Sequence, residues 1–317
     1  MRLSLLIPWM ALLVMGPAAN AESIETRAGA IALNEADQSI NIAGALRWRG
    51  GLVLTSPDER FGGLSGLHVS SDGGSMSAVS DRGYLFRARL VYGPDGNLLG
   101  LDQGDITALA GPGGKHLSTK RNSDAEAMAG GPGGELIVAF ERNHRLIGYP
   151  PNGPPHELAG PAGLDKAPNN GGIEALTRLA GGSLLAITEE MEAEGGFIGW
   201  IGGPGGWSAL AYKADKGFNP AGAATLPGGA VVVIERRYTL IEGPTARLKI
   251  IAPGAIHPGA TLQGRLLGEL KYPLTVDNLE GVAARLGRGG GTLIYMVSDD
   301  NYNPLQRTLV MMFELIE

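Results

Sequence analysis

The chain has no cysteine. That excludes a disulfide framework and any lipid attached through a thiol. Histidines are few, at His68, His116, His144, His156 and His257, and their scatter gives no zinc-ligand spacing. The formal charge is −6, so the chain lacks the basic surface that a phosphate backbone needs, and no nucleic-acid partner is expected. No helical periodicity of useful length is visible. After the first residues no run is long and apolar enough for a bilayer span of about 20 residues.

What is present begins with a leader. Met1-Arg2 is basic, Leu3 to Met15 is apolar, and Ala19-Asn20-Ala21 has the small-x-small pattern of a signal peptidase site. Residues 1–21 are therefore expected to be a cleaved signal peptide. The expected address is the periplasm or the exterior, with residues 22–317 forming a single, monomeric domain and no membrane span in the mature chain. Gly 51 and Pro 20 together stay below the roughly 25–30% that marks low complexity. They fall at turns, as in Gly202-Gly203-Pro204-Gly205-Gly206.

The dominant feature is a phrase repeated five times: a strand, a Gly-Gly turn, a second strand and an acidic residue. The copies begin at Ser65, Glu126, Glu174, Gly222 and Glu280, and their turns are at Gly73-Gly74, Gly133-Gly134, Gly181-Gly182, Gly228-Gly229 and Gly290-Gly291. Strand repeats with a period of roughly 40–60 residues indicate a β-propeller. Residues 22–60 and the final stretch Thr308 to Leu315 add strands at both ends. These imply an all-β, six-bladed propeller whose sixth blade is closed by strands from both termini.

Two positions recur in the phrase. Glu126, Glu174 and Glu280 start the strands expected to be innermost, with Asp124 and Asn278 two residues before two of them. Equivalent positions in successive blades point at one axis. Converging carboxylates there must be protonated, paired with Arg or Lys, or bound to a cation, and oxygen-only ligands suit Ca²⁺ or Mg²⁺. The competing role is architectural, with each Glu capping its strand. The second position is Asp81, Glu141, Glu189, Glu235 and Asp299, which reads as blade-to-blade salt bridging. The neighbouring Arg82, Arg142 and Arg236 are the candidates for holding an anionic group.

Other chemistry is weakly supported. Gly111-Pro112-Gly113-Gly114-Lys115 is followed by His116 and lacks phosphate-loop spacing. Gly63-Leu64-Ser65-Gly66-Leu67 begins like a nucleophile elbow but ends in Leu. His144, near Glu141-Arg142, is the candidate general acid or base.

Asp124-Ala125-Glu126-Ala127-Met128, Asn170-Gly171-Gly172-Ile173-Glu174-Ala175-Leu176 and Asn278-Leu279-Glu280-Gly281-Val282 resemble the blade signatures of the phytase-like family of secreted bacterial proteins. So do Phe61 to Leu67 with Val79-Ser80-Asp81-Arg82, and Val297 to Asn303 with Gln306-Arg307-Thr308. The resemblance spans roughly residues 45–316. It implies a propeller with phytase-like or esterase-like activity, meaning calcium-assisted hydrolysis of phosphate esters. The expected function is a metal-dependent hydrolase of phosphoester or carboxylic ester substrates, acting on a small anionic or ester molecule. The match is to the blade phrase and not to a catalytic motif. The fourth repeat, Gly222-Ala223-Ala224, lacks the Glu. The Arg-His-Gly motif of histidine acid phosphatases is absent, which excludes that chemistry. The alternative function is a non-catalytic propeller of the cell envelope that binds a ligand or protein.

Overall fold

A computed structural model describes residues 21–316. The expected leader, apart from Ala21, lies outside the described residues.

The strands form five sheets, one for each copy of the phrase. Their innermost strands are Leu64–Val69, Ala125–Gly130, Ile173–Arg178, Asn219–Thr225 and Leu279–Leu286. Each inner strand lies beside the inner strands of the two neighbouring blades, and the fifth lies beside the first, so the ring is closed. The only α-helix among the described residues is the single turn Lys120–Ser123. No described helix is long and apolar enough to cross a membrane.

The blade number corrects the sequence reading from six to five. Both termini do meet, but they build no sheet of their own. Leu46–Thr55 pairs with Thr308–Leu315, with Leu52 opposite Val310 and Leu54 opposite Thr308. Arg27–Ile31 then adds outside Leu46–Thr55. The end strands are thus the outer strands of the blade that starts at Leu279. They carry no copy of the strand–Gly-Gly–strand phrase, so they supply no inner strand and cannot start a sixth blade. The pairing still joins the two ends of the ring, leaving it without an open seam.

The core is a set of layers between blades. Strand alternation sends consecutive side chains to opposite neighbours. Val231 and Val233 pack with Leu185 and Ile187 of the third blade. Val232 and Ile234 pack with Ile294 and Met296 of the fifth. This is why Val231-Val232-Val233-Ile234 is apolar throughout. Each such side chain contributes about 1.5–3 kcal/mol when fully buried.

Close approach of inner strands requires glycine near the start of the fourth and fifth inner strands. A Cβ on Gly222 would lie 2.1 Å from the Glu280 carbonyl oxygen, and one on Gly281 would lie 2.1 Å from that of Ser65. Below these residues the channel is filled by Leu67, Met128, Leu176, Ala223 and Val282, leaving a void of only about 10 Å³. The channel is a plugged cup rather than a pore.

Candidate functional site

The acidic side chains gather at one end of this cup because of how each blade begins. An inner strand starts there, and its antiparallel partner ends there. Four blades make the same backbone bond across this end. Asp81 donates to Gly63 O at 3.1 Å, Glu141 to Asp124 O at 2.8 Å, Glu189 to Gly172 O at 3.0 Å and Asp299 to Asn278 O at 3.0 Å. The two positions of the phrase therefore share one site. The second position lies at this axial end rather than at an outer rim. Two of its acids do make salt bridges between blades there, Glu189 to Arg236 of the fourth blade and Asp81 to Lys120 just before the second.

Each inner strand also carries a bulge near its start. Glu126 falls between Ala125, paired with Phe140, and Ala127, paired with Ala139. Glu174 and Glu280 fall in the same gap of their blades. A bulged residue is left out of the ladder and its side chain is re-aimed. Here three carboxylates are turned toward the axis by the same device.

The register also corrects the fourth blade. Pro220 pairs with Glu235 and Gly222 with Ile234, so the bulged residue is Ala221, not Gly222. Arg236 pairs with Asn219 and takes the place that Glu141, Glu189 and Asp299 hold elsewhere. Glu235 is one residue short of the ring. It is fully buried and accepts a hydrogen bond from the Tyr212 hydroxyl at 2.8 Å. The fourth blade thus gives the axis a small side chain and a cation.

Arg236 uses that space. Its Nη2 donates to Glu189 Oε1 at 2.8 Å, and its Nη1 to Asn278 Oδ1 at 2.6 Å and to Glu280 Oε1. Asn278 Nδ2 also donates to Glu280 Oε1 at 2.8 Å. Burial works against the charge on Arg236, but Glu280, Glu189 and Glu174 outweigh it and raise its pKa. Ser65, the first blade's axial residue, is fully buried and lies 2.9 Å from Glu280 Oε2 and 3.1 Å from Glu126 Oε2. It ties two carboxylates together and is inaccessible as a nucleophile.

On the other side of the cup, Asp124, Glu126 and Glu141 each offer a carboxylate oxygen within 4.8 Å of the others. Asp124 is clamped by Arg142 Nε at 2.5 Å and Lys120 Nζ at 2.5 Å. Lys120 also reaches Asp81 Oδ2 at 2.7 Å. Glu141 accepts from Gly172 N at 2.6 Å. Glu174 Oε2 is buried with no hydrogen-bond partner among the described residues.

Eight carboxylates, Asp81, Asp124, Glu126, Glu141, Glu174, Glu189, Glu280 and Asp299, thus face three cations, Lys120, Arg142 and Arg236. Burial, and then mutual repulsion, raises Glu126 and Glu174 well above the usual carboxylate range. Burial pushes Glu141 up to about 8, with Asp124 and Glu189 adding to it. Asp299 is raised to about 8 by burial and then by Glu280. Glu280 is raised by burial, with Arg236 opposing.

The residues present fit a hard divalent cation. The donors are all oxygen, and three of them approach as closely as ligands held about 2.3–2.6 Å from one ion must. A buried oxygen without a partner sits beside them. Of the sequence-derived ligands, Asp124 and Glu126 belong to this cluster and Glu174 adjoins it. Glu280 and Asn278 are instead engaged by Arg236. Glu141 was read from the sequence as a salt-bridging residue. Its recurrence with Asp81, Glu189 and Asp299 at the close of the repeated phrase is the signal that would have placed it here.

The remaining candidates divide. Arg142 and Arg236 are in the site, each held by carboxylates. Arg82 is exposed, stacks on the Tyr302 ring with its guanidinium carbon 3.3 Å from the centroid, and donates to Glu59 O. His144 is half-buried, and burial lowers its pKa. Its Nε2 lies 2.9 Å from Pro168 O and its Nδ1 has no hydrogen-bond partner among the described residues.

A cavity of about 770 Å³ reaches this acidic end through Glu189, Arg236 and Asn278 and spreads over the fourth and fifth blades. The geometry thus defines a closed five-bladed propeller with an acidic, cation-compatible cup beneath an open cavity.

A family model described as phytase-like, with esterase-like activity of phytase, matches residues 59–302. The chain belongs to that family. Comparison with curated protein sequences gives no match. Among solved structures, a gluconolactonase from Xanthomonas campestris is similar at 12% identity, covering 95% of this chain and 99% of that one, with a TM-score of 0.48. A virginiamycin B lyase from Staphylococcus aureus is similar at 11% identity, covering 92% and 100%, with a TM-score of 0.44.

Proposed function

We propose that this protein is a metal-supported hydrolase of ester bonds, working where the acidic cup meets the cavity. The observation that carries the reading is the cluster of Asp124, Glu126 and Glu141, three convergent carboxylates in a site that also holds the partnerless Glu174 oxygen. Calcium or magnesium is the ion class that the donor chemistry selects. Asp124, Glu126 and Glu141 would hold it, with Arg142 and Lys120 fixing Asp124. When bound, such an ion polarises an ester oxygen and lowers the pKa of a water.

The chain's own residues supply the rest. Glu174, with its free oxygen and raised pKa, accepts the proton of the attacking water and passes it to the leaving alcohol as the acyl–oxygen or phosphoryl–oxygen bond breaks. Arg236 stays charged and holds Glu189 and Glu280 in place while presenting positive charge beside the cavity. No serine nucleophile is needed, which agrees with the burial of Ser65. The leader pattern supports export to the periplasm or the exterior, where calcium is plentiful.

The test is hydrolysis of carboxylic and phosphate esters by the mature protein with Ca²⁺ or Mg²⁺, beside Glu126→Gln and Glu141→Gln. A loss of at least a hundredfold in both variants and on chelation is expected. Turnover indifferent to chelator would overturn the metal role, and no turnover of either ester class would overturn the hydrolase.

A further inference from the structure

The cavity over the fourth and fifth blades distinguishes between the two ester classes. Resting on the hydrolase reading, we infer that the substrate is an uncharged, hydroxyl-rich carboxylic ester, such as an acylated sugar or polyol, and not a phosphate ester.

The first argument is charge. A phosphate group is held by cations with free donors, above all Arg forks. The cavity has two arginines in its wall, and each is already engaged by a carboxylate, with only the Arg237 Nε left without a partner among the described residues. Arg236 is bound to Glu189, Glu280 and Asn278. Arg237 pairs with Glu242 and stacks on Phe218. Glu189 and Asp277 in the same wall balance them. The cations of the adjoining cup, Lys120 and Arg142, are likewise held by its carboxylates and offer a phosphate no free fork.

The second argument is donor chemistry. The wall carries the amides of Asn219, Asn301, Asn303 and Gln306. An amide both donates and accepts, which matches a hydroxyl and wastes half its capacity on a phosphate oxygen. The side chains of Asn219 and Asn301 have no hydrogen-bond partner among the described residues, and Asn303 uses only its Oδ1, accepting from Leu305 N at 3.0 Å. Tyr238 closes the wall with a side chain 70% exposed. Its ring offers an apolar face to a carbon skeleton, as the aromatic side chains that line ligand pockets do.

The experiment compares wild type, Asn219→Ala and Tyr238→Ala in excess Ca²⁺. Neither side chain supports the fold: Asn219 has no side-chain partner and Tyr238 is exposed. Turnover is measured on methyl 6-O-acetylglucoside and on 4-nitrophenyl phosphate. Binding is measured by calorimetry with methyl glucoside and with inositol hexakisphosphate. The acetylated sugar should be turned over at least a hundredfold faster than the phosphate. Each substitution should raise KM for the sugar ester about five- to tenfold with kcat nearly held, the loss expected of a neutral contact. Methyl glucoside affinity should fall in parallel. Preferred turnover of the phosphate, tighter binding of the hexakisphosphate, or sugar binding unchanged in both variants would overturn the inference. If neither ester is cleaved but methyl glucoside binds through Asn219 and Tyr238, the hydrolase reading falls while the ligand class stands. If methyl glucoside and its ester both fail to bind, the ligand class falls.

Discussion

Arg236 stands in the fourth blade at the register position that Asp299 holds in the fifth, so one blade answers the carboxylates of the others with a guanidinium. Its contacts to Glu189 and Glu280 are largely buried. Removing one partner of a buried pair strands the other, typically at 3–5 kcal/mol. Arg236→Gln is therefore expected to lower metal-free stability by about 3 kcal/mol, measured by urea unfolding. Millimolar Ca²⁺ should restore part of the loss. A change below about 1 kcal/mol would mean that the two carboxylates are already protonated and need no counter-ion.

The pH dependence of the metal-free protein should run opposite to ordinary acid denaturation. Glu141 and Asp299 have folded pKa values raised to about 8. A carboxyl that is raised on folding favours the protonated native state. Its contribution is fully present below the unfolded value of about 4 and is lost as pH rises through 8. Each group adds a slope of at most about 1.4 kcal/mol per pH unit inside that window. Melting temperature in chelator should thus fall between about pH 5 and pH 8. With Ca²⁺ the trend should flatten or reverse, because ligation needs the deprotonated form. A chelated protein whose stability rises over this range would refute the burial of these acids in the native state.

Much of this architecture was legible in the sequence, and the misses have physical causes. The Gly-Gly turns marked every inner hairpin, and the acidic residues flanking them marked the acidic end. The blade count failed because terminal strands look alike whether they found a blade or finish one. Only the absence of an inner hairpin in residues 22–60 separates the two. The fourth blade failed because its bulge is anchored by Pro220 rather than by a carboxylate. Counting from Gly228-Gly229 put Gly222 and Glu235 in the ring, one residue away from Ala221 and Arg236. A one-residue slip in a strand exchanges its two faces, so the phrase equates Glu235, a buried structural acid, with Glu141 and Asp299, although Arg236 holds their place. Nothing marked the cavity amides as one group, since Asn219 is far in sequence from the stretch that carries Asn301, Asn303 and Gln306.

Inner-strand spacing gives a stability prediction independent of the site's charge. Gly222→Ala and Gly281→Ala each place a Cβ about 2.1 Å from a neighbouring carbonyl oxygen. The ring cannot open to relieve it, because each inner strand has neighbours on both sides. Overpacking of this kind costs about 1–3 kcal/mol or more, and thermal melts should show it in both variants. Gly113→Ala, with nothing within 4 Å of its Cβ, is the control and should shift stability by less than about 0.5 kcal/mol. Equal behaviour of the three would contradict the close approach of the inner strands.

The three axial glutamates should not respond alike to metal. By sequence they are equivalent, and a symmetric ring would lose its cation whichever one is neutralised. By geometry they are not. Glu126 lies with Asp124 and Glu141, whereas Glu280 is engaged by Arg236, Asn278 and Ser65. Calcium should raise the melting temperature of the wild type, and Glu126→Gln should remove most of that rise. Glu280→Gln should leave the calcium response largely intact while weakening the metal-free protein, because it unpairs Arg236. Calorimetric titration of Ca²⁺ into each variant reads affinity directly, and removing one anionic ligand should cost at least tenfold at Glu126 and less than threefold at Glu280. If both variants lose calcium equally, the ion sits on the axis shared by all three glutamates, and Arg236 must move aside to admit it.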